Sequence, residues 1–440
     1  MKKSISKISI YAAAILVAAA SFTACQDEPD RFRLTDGIPT VYYVRPVKGA
    51  AADSLLTGAY MGNSVCLVGD NLRSVYKLLF NDQQATLNNS YITDHTLLVD
   101  VPNEIPGVVS DKMYLITKNA DTVKVDFSVL VPGPSIVSMK NEHAPAGSTT
   151  VLYGDYFVDD PNVPLEVFVG DEQAVIKEFT KGAITFVVPD NAAGNSPVKV
   201  NTIYGEAKSV FHWKDTRGML FNFDTDLHPA NHGWHPQVIE TDDTALDGNF
   251  LRLGGADVTM KEGGDWDDAH FAFEYWPGDW TTPVSYNDSP LLTEYADFSK
   301  WESMALKFEL FVPTSNPWMA ASMQLIVGGL DKISGSGAGE DVYGNTVPGA
   351  NNTFFNNNVL PRGLYTPWVA TGSFDTADEW ITVTVPYANF IYGMGGGVAS
   401  GALSAEDFTS LTIFVTGGGN KGTECHPIIK MDNIRAVPVK

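Results

Sequence analysis

From about residue 39 onward, apolar and polar positions alternate in short runs broken by Gly, Asn, Asp and Pro. Leu306, Phe308, Leu310 and Val312 fall on one side of such a run, with Lys307 and Glu309 on the other. Phe271, Phe273 and Tyr275 share a face, and Ile381, Val383 and Val385 alternate with Thr382 and Thr384. A period of two with few helical stretches predicts antiparallel strands that each bury one face. Between the strands lie long loops rich in Gly, Asn and Pro, of which Gly329 to Pro361 is the longest. Loops of that length in a folded domain are usually functional or floppy. The pattern predicts an all-β chain.

The first half repeats itself. Gly62-Asn63-Ser64-Val65-Cys66-Leu67-Val68-Gly69-Asp70-Asn71 is answered by Gly147-Ser148-Thr149-Thr150-Val151-Leu152-Tyr153-Gly154-Asp155-Tyr156. Leu98-Val99-Asp100-Val101-Pro102 is answered by Thr185-Phe186-Val187-Val188-Pro189. Such spacing of short β-runs and turn residues predicts two sandwich domains in tandem. A strand ending Gly-Asp followed by a segment ending Val-Pro resembles the IPT/TIG subfamily of immunoglobulin-like domains. Pro132-Gly133-Pro134 and Lys214-Asp215-Thr216-Arg217 mark the predicted boundaries. The expected order is an IPT/TIG-like spacer over 39–131, a second over 132–213, and a larger β-sandwich of the carbohydrate-binding-module type over 214–440.

The N-terminus predicts processing rather than fold. Lys2, Lys3 and Lys7 precede an apolar run from Ile8 to Ala20, too short and Ala-rich for a comfortable membrane span. Phe22-Thr23-Ala24-Cys25 then resembles a bacterial lipobox, which implies a signal peptide over 1–24, lipidation of Cys25 and a tether over 25–38. An ordinary signal peptide with an incidental cysteine is the alternative. The acidic Gln26-Asp27-Glu28 resembles the surface-export signal of Bacteroidota lipoproteins. The two other cysteines, Cys66 and Cys425, fall in different expected domains, which argues against a disulfide between them.

Charge narrows the partner. With 29 Lys+Arg against 52 Asp+Glu, the formal net charge of −23 repels nucleic acid and leaves a neutral polymer unaffected. Tryptophan narrows it further, because all nine tryptophans lie between Trp213 and Trp380. Trp213, Trp301 and Trp380 adjoin predicted strands and read as packing, and Trp234 is ambiguous. The other five sit in loops: Trp266, Trp276, Trp280, Trp318 and Trp368. Tyr275-Trp276-Pro277-Gly278-Asp279-Trp280 places two indoles around a Pro-Gly turn. Asn316-Pro317-Trp318 and Tyr365-Thr366-Pro367-Trp368 repeat the idea. The C–H face of a β-linked pyranose lies flat on such rings, and pre-ordered loops lower the cost of binding. The candidate platform is Trp276, Trp280 and Trp318, with Tyr365 and Trp368 next. Capping of the sandwich core is the competing reading for each ring.

Catalytic and metal motifs are weak. His228, His232 and His235 have zinc-like spacing, but Pro229, Gly233 and Pro236 oppose a helix, so they read as loop histidines. Asp265, Asp267 and Asp268 have the oxygen chemistry of a calcium site without a defining motif. Glu240, Glu274 and Asp279 are carboxylates that no motif pairs for glycoside hydrolysis. The expectation is a non-catalytic protein with no cofactor and no metal.

Cys25 with its acidic follow-on, the tandem IPT-like units, and the stretch from Leu220-Phe221-Asn222-Phe223-Asp224 to Ile434, including Trp380-Ile381-Thr382-Val383-Thr384-Val385-Pro386, together resemble the SusE-position surface glycan-binding lipoproteins of gut Bacteroidota. The branch that binds xyloglucan or related β-glucans is the nearest in appearance. That resemblance implies a lipid-anchored protein exposed on the outer membrane, with spacers holding a binding domain outward. It also implies a neighbouring surface endoglycanase and a TonB-dependent transporter as partners. A secreted glycoside hydrolase or lyase on a β-sandwich, and a host-binding adhesin, remain the rival readings.

Overall fold

The computed structural model describes residues 32–51, 53–224, 235, 237–275, 290–329, 339–340, 346–347 and 358–439. The chain divides into two compact units, Met1–Pro132 and Gly133–Lys440. The described residues are almost entirely β.

In the first unit, Thr40–Pro46, Ser64–Asp70 and Thr96–Asp100 form one sheet. Gln83–Gln84, Val75–Phe80, Lys112–Thr117 and Thr122–Asp126 form another, and Gly58–Tyr60 pairs in parallel with Ser128–Leu130. Val65, Leu67, Leu78, Phe80, Leu97, Met113 and Leu115 fill the space between. Lys112–Thr117 alternates half-buried and buried residues along its whole length, as period two requires.

The second unit opens with a sandwich built the same way. Ser135–Met139, Thr149–Asp155, Ala183–Val187 and Val175–Thr180 face Glu172–Gln173, Glu166–Val169, Ser196–Thr202 and Gly205–Trp213. The repeated glycines now have a reason. Gly69 lies opposite a register shift between Val41 and Tyr43, and Gly154 opposite one between Ile136 and Ser138. At each bulge the neighbouring backbone comes so close that a Cβ would sit 1.8 Å from the Thr40 carbonyl oxygen or 1.9 Å from that of Ser135. Only glycine fits there.

The rest of the second unit is a larger sandwich. Its six-stranded sheet runs Ile239–Glu240, Phe250–Gly254, Ile428–Pro438, Met304–Phe311, Ile381–Pro386, with Met219–Phe221 also on Ile428–Pro438. Its four-stranded sheet runs Ala272–Tyr275, Ser410–Val415, Met323–Gly328, Gly363–Tyr365. Leu306, Phe308, Leu310, Ile429, Met431 and Ile434 from the first sheet meet Phe273, Tyr275, Leu325, Val327 and Ile413 from the second. Phe221 bridges the layers, edge-on to Phe273 at 4.9 Å and to Tyr275 at 5.3 Å.

The outward face of the six-stranded sheet carries charge, yet it is not in water. Lys307 pairs with Arg435 across the strands and Glu309 with Asp432. Asp432 and Arg435 are three apart but share a face, because a bulge at Asn433, with φ of 51°, inserts one residue. The preceding immunoglobulin-like sandwich supplies the partner. Glu142 accepts from Lys307 Nζ at 2.5 Å and from Arg435 Nη2 at 2.8 Å. Arg435 Nη1 donates to Glu309 at 2.7 Å. Glu142 N and Thr382 N add backbone links, to Thr382 Oγ1 at 2.7 Å and Lys140 O at 2.8 Å. All four charged side chains are buried, and two cations balance two anions. Burial alone would pull the Arg435 guanidinium down, but the Glu309 and Glu142 carboxylates together raise it. Beside this network Phe250, Phe311 and Trp380 form a small apolar cap.

Candidate functional site

The opposite outward face, that of the four-stranded sheet, belongs to Ala272, Glu274, Thr412, Phe414, Gln324, Ile326 and Leu364, by alternation from the inward residues. Its polar groups, and those beside it, bond chiefly to backbone carbonyls and to one another. Gln324 Nε2 donates to Thr416 O at 2.7 Å, and its Oε1 accepts from Arg362 Nη1 at 2.7 Å. Thr409 Oγ1 and Ser410 Oγ donate to Gly328 O at 2.7 and 3.1 Å. Gln237 Nε2 donates to the Glu274 carbonyl at 2.8 Å. Burial brings the Arg362 guanidinium down to about 10.

Register then locates the loops. Tyr275 and Val327 both stand opposite Leu411, and Gly328 opposite Ser410. The chain therefore leaves the sheet at one common end after Tyr275 and after Gly328. It returns there too, since Tyr275 Oη donates to Pro290 O at 2.7 Å and Leu292 N to Thr409 O at 3.1 Å. Gly363 re-enters opposite Leu325. Trp276 and Trp280 belong to the segment between Tyr275 and Pro290, and they lie outside the described residues.

The other three rings of the expected platform are corrected. Trp318 is 0% exposed, tilted against Tyr365 at 6.0 Å, and its Nε1 donates to Ala320 O at 2.5 Å. Trp368 is buried, with Nε1 donating to Ala321 O at 2.7 Å. Tyr365 points inward, edge-on to Phe308 and Phe374, and burial pushes its hydroxyl pKa up. Trp318 and Trp368 have no open face to stack on a sugar, and Tyr365 is half-buried against Phe308 and Phe374, so these three support the sandwich from within. Trp318 also precedes Met323, at the end of the sheet away from Tyr275, since Met323 stands opposite Val415.

Trp213, Trp301 and Trp380 pack as expected. Trp213 is buried with Nε1 donating to Ala144 O at 2.8 Å, Trp301 lies against Phe408 at 5.6 Å, and Trp380 Nε1 donates to Thr244 O at 2.6 Å. Trp266, by contrast, is 43% exposed. His228, His232 and Trp234 lie outside the described residues, while His235 stands 3.5 Å from Asp268. Asp267 accepts from His270 Nδ1 at 2.9 Å. Among the described residues no group of three His, Cys, Asp or Glu is placed to hold a metal ion. Cys66 and Cys425 are both free and buried.

Sequence reasoning missed Gln324 and Arg362, and weighed Glu274 only as a catalytic carboxylate. Gln324 and Glu274 are single polar residues in strands whose other residues are apolar on both faces, which marks a second buried face rather than a solvated one.

The chain thus leaves the four-stranded sheet twice at the same end. The family model described as the surface glycan-binding protein B xyloglucan binding domain matches residues 213–438, and the IPT/TIG domain model matches residues 134–209. The chain belongs to the surface glycan-binding protein B family. It is 46% identical to surface glycan-binding protein PbSGBP-B of Prevotella bryantii, with 92% of this chain and 100% of that chain covered and a TM-score of 0.78. It is also similar to an SGBP-B from a complex xyloglucan utilization locus in Bacteroides uniformis, at 16% identity over 91% of this chain and 100% of that one, with a TM-score of 0.38. An IPT/TIG domain-containing protein of Bacteroides ovatus is 27% identical over 141 residues, which is 30% of this chain and 28% of that protein. The chain thus spans less than a third of that curated relative. The protein is a non-catalytic surface glycan-binding protein, and neither the hydrolase nor the adhesin reading is favoured.

Proposed function

We propose that this protein captures a neutral plant β-glucan, xyloglucan first and mixed-linkage glucan second, on the C-terminal sandwich. One observation carries the reading. The segment that matches a xyloglucan binding domain contains a sheet whose single end launches both the Trp276–Trp280 stretch and the Gly329–Pro361 stretch. Trp276 and Trp280 would stack on pyranose faces, and neighbouring Asn, Asp and Thr side chains would read hydroxyls. A neutral ligand suits a chain of formal charge −23, because it is not repelled.

The two immunoglobulin-like units serve as spacers in this reading, and Cys25 as a lipid anchor in the outer membrane. Captured glycan would pass to a surface endoglycanase and a TonB-dependent transporter. Affinity electrophoresis against xyloglucan, mixed-linkage glucan, mannan and an anionic pectin tests the ligand. Retardation by the first two is expected, and free migration in all four gels would overturn the proposal. Reducing-sugar release from the retarding glycan should stay at background. Labelling with radioactive palmitate, lost in Cys25→Ala, tests the anchor.

A further inference from the structure

We propose that the junction between the second immunoglobulin-like sandwich and the C-terminal sandwich holds a binding pocket for a small neutral polyol, one or two sugar units in size. A cavity of about 450 Å³ lies there. That falls within the range of small-molecule pockets, roughly 300–1,000 Å³. Both sandwiches build it. His143 follows the strand Ser135–Met139, and Lys214 follows Gly205–Trp213, while Met219 and Asn433 stand on two paired strands of the six-stranded sheet. Asp224 and Asp247 also line it and are exposed, so the cavity opens to solvent.

Two of the lining side chains are more than nine-tenths buried and carry a polar atom that no protein group satisfies. His143 is 4% exposed, and its Nε2 stands 4.0 Å from Glu309 Oε2, beyond hydrogen-bond reach. Asn433 is 5% exposed, and its Nδ2 has no partner within the protein. Buried polar atoms are normally paired, so two such atoms on one cavity mark a place for the polar groups of a ligand. Both residues are fixed through their backbone. His143 N donates to Asn141 Oδ1 at 2.9 Å, Asn433 N donates to Asp432 Oδ1 at 2.7 Å, and Asn433 O accepts from Arg435 Nη1 at 2.8 Å. Groups ordered in this way lose little entropy on binding.

The lining selects a neutral occupant. The Asp224 and Asp247 carboxylates disfavour an anion. A metal ion would meet the Asn433 amide and the Lys214 ammonium, which stands 3.8 Å from Asp247. Among the described residues no three His, Cys, Asp or Glu groups are placed to coordinate one. Burial, with the Arg435 charge next, keeps the His143 imidazole neutral, so its Nε2 donates or accepts according to tautomer. Amide and ammonium donors beside carboxylate acceptors match hydroxyls, which both give and take hydrogen bonds. Met219 and Tyr295 offer apolar surface to the C–H groups between those hydroxyls. An occupant would bridge the two sandwiches.

The experiment titrates D-glucose, D-xylose and D-galactose into the full chain, with D-glucuronate and calcium chloride as charged probes. Ligand-observed NMR reads binding, and thermal unfolding reads stabilisation. At least one neutral sugar should bind wild type with about millimolar affinity and raise its unfolding temperature. Asn433→Gly removes the amide and accepts the φ of 51° at that position, and it should weaken that sugar about tenfold. Asp247→Ala lies on the exposed rim and should weaken it about threefold, which keeps the test decisive if Asn433→Gly unfolds early. Wild-type affinity in both variants would overturn the pocket. So would wild type that binds none of the three sugars, which would leave the cavity to water only. Tighter binding of calcium or glucuronate than of any sugar, lost in the same variants, would overturn the neutral class of ligand.

Discussion

The two outward faces of the C-terminal sandwich are both polar and both buried, yet they are built oppositely. On the six-stranded sheet, Lys307, Glu309 and Arg435 are full charges completed by Glu142 from the immunoglobulin-like sandwich. On the four-stranded sheet, Gln324 and Ser410 are neutral groups bonded to backbone carbonyls, and Gln324 also accepts from the buried Arg362 guanidinium. Charges inside a protein demand fixed partners, so the first face locks two domains together. One side of the sandwich is thereby mounted on the preceding domain by full charges.

The largest expected effect comes from breaking the charged face. Glu142→Ala leaves Lys307 and Arg435 buried with one carboxylate between them, and should destabilise the Gly133–Lys440 unit by about 3–5 kcal/mol. Urea unfolding of the full chain measures this, and a loss below about 1 kcal/mol would show that the face tolerates an open charge. Gln324→Leu on the other face removes the bond to Thr416 O and the one accepted from the Arg362 guanidinium, and should cost about 1–3 kcal/mol. The ordering of these two losses is the sharper test, and a larger loss for Gln324→Leu would reverse the comparison.

A pH experiment probes the charged face further. Burial, with the Asp247 charge next, pushes the Asp432 carboxyl up to about 9, and burial takes the His143 imidazole down to about 3. The Asp432 contribution is full below the ordinary carboxylate pKa of about 4 and fades as pH rises through about 9. The His143 contribution is full above about 6.5 and fades as pH falls toward about 3. Asp432→Asn should therefore gain on wild type in thermal unfolding as pH rises from about 4 to about 9. A constant gap across that window would show that Asp432 is ionised in the folded protein.

Much of this comparison was legible in the sequence, though not its meaning. Period two placed Lys307 and Glu309 opposite Leu306 and Phe308, and the structure keeps them there. Outward was nevertheless not solvent, because Glu142 lies far off in sequence and no local pattern announces a domain contact. The glycines of the repeat, Gly69 and Gly154, were visible as a motif, and the bulge explains them. Trp318 and Trp368 were misread for a definite reason. A tryptophan after proline in a loop has one polar atom, and Ala320 and Ala321 each offer a carbonyl that satisfies it indoors. Composition counts indoles but does not show whether a backbone oxygen waits for each one.

The smallest expected effects on stability, and the largest on binding, fall at the loop end of the four-stranded sheet. The full chain and its Trp276→Ala/Trp280→Ala variant should be compared in native gels with and without xyloglucan, alongside their unfolding curves. The account predicts that xyloglucan retards the wild type, that the double variant migrates as it does without glycan, and that both unfold alike. A wild type that xyloglucan does not retard, or a double variant retarded as strongly as the wild type, would contradict it.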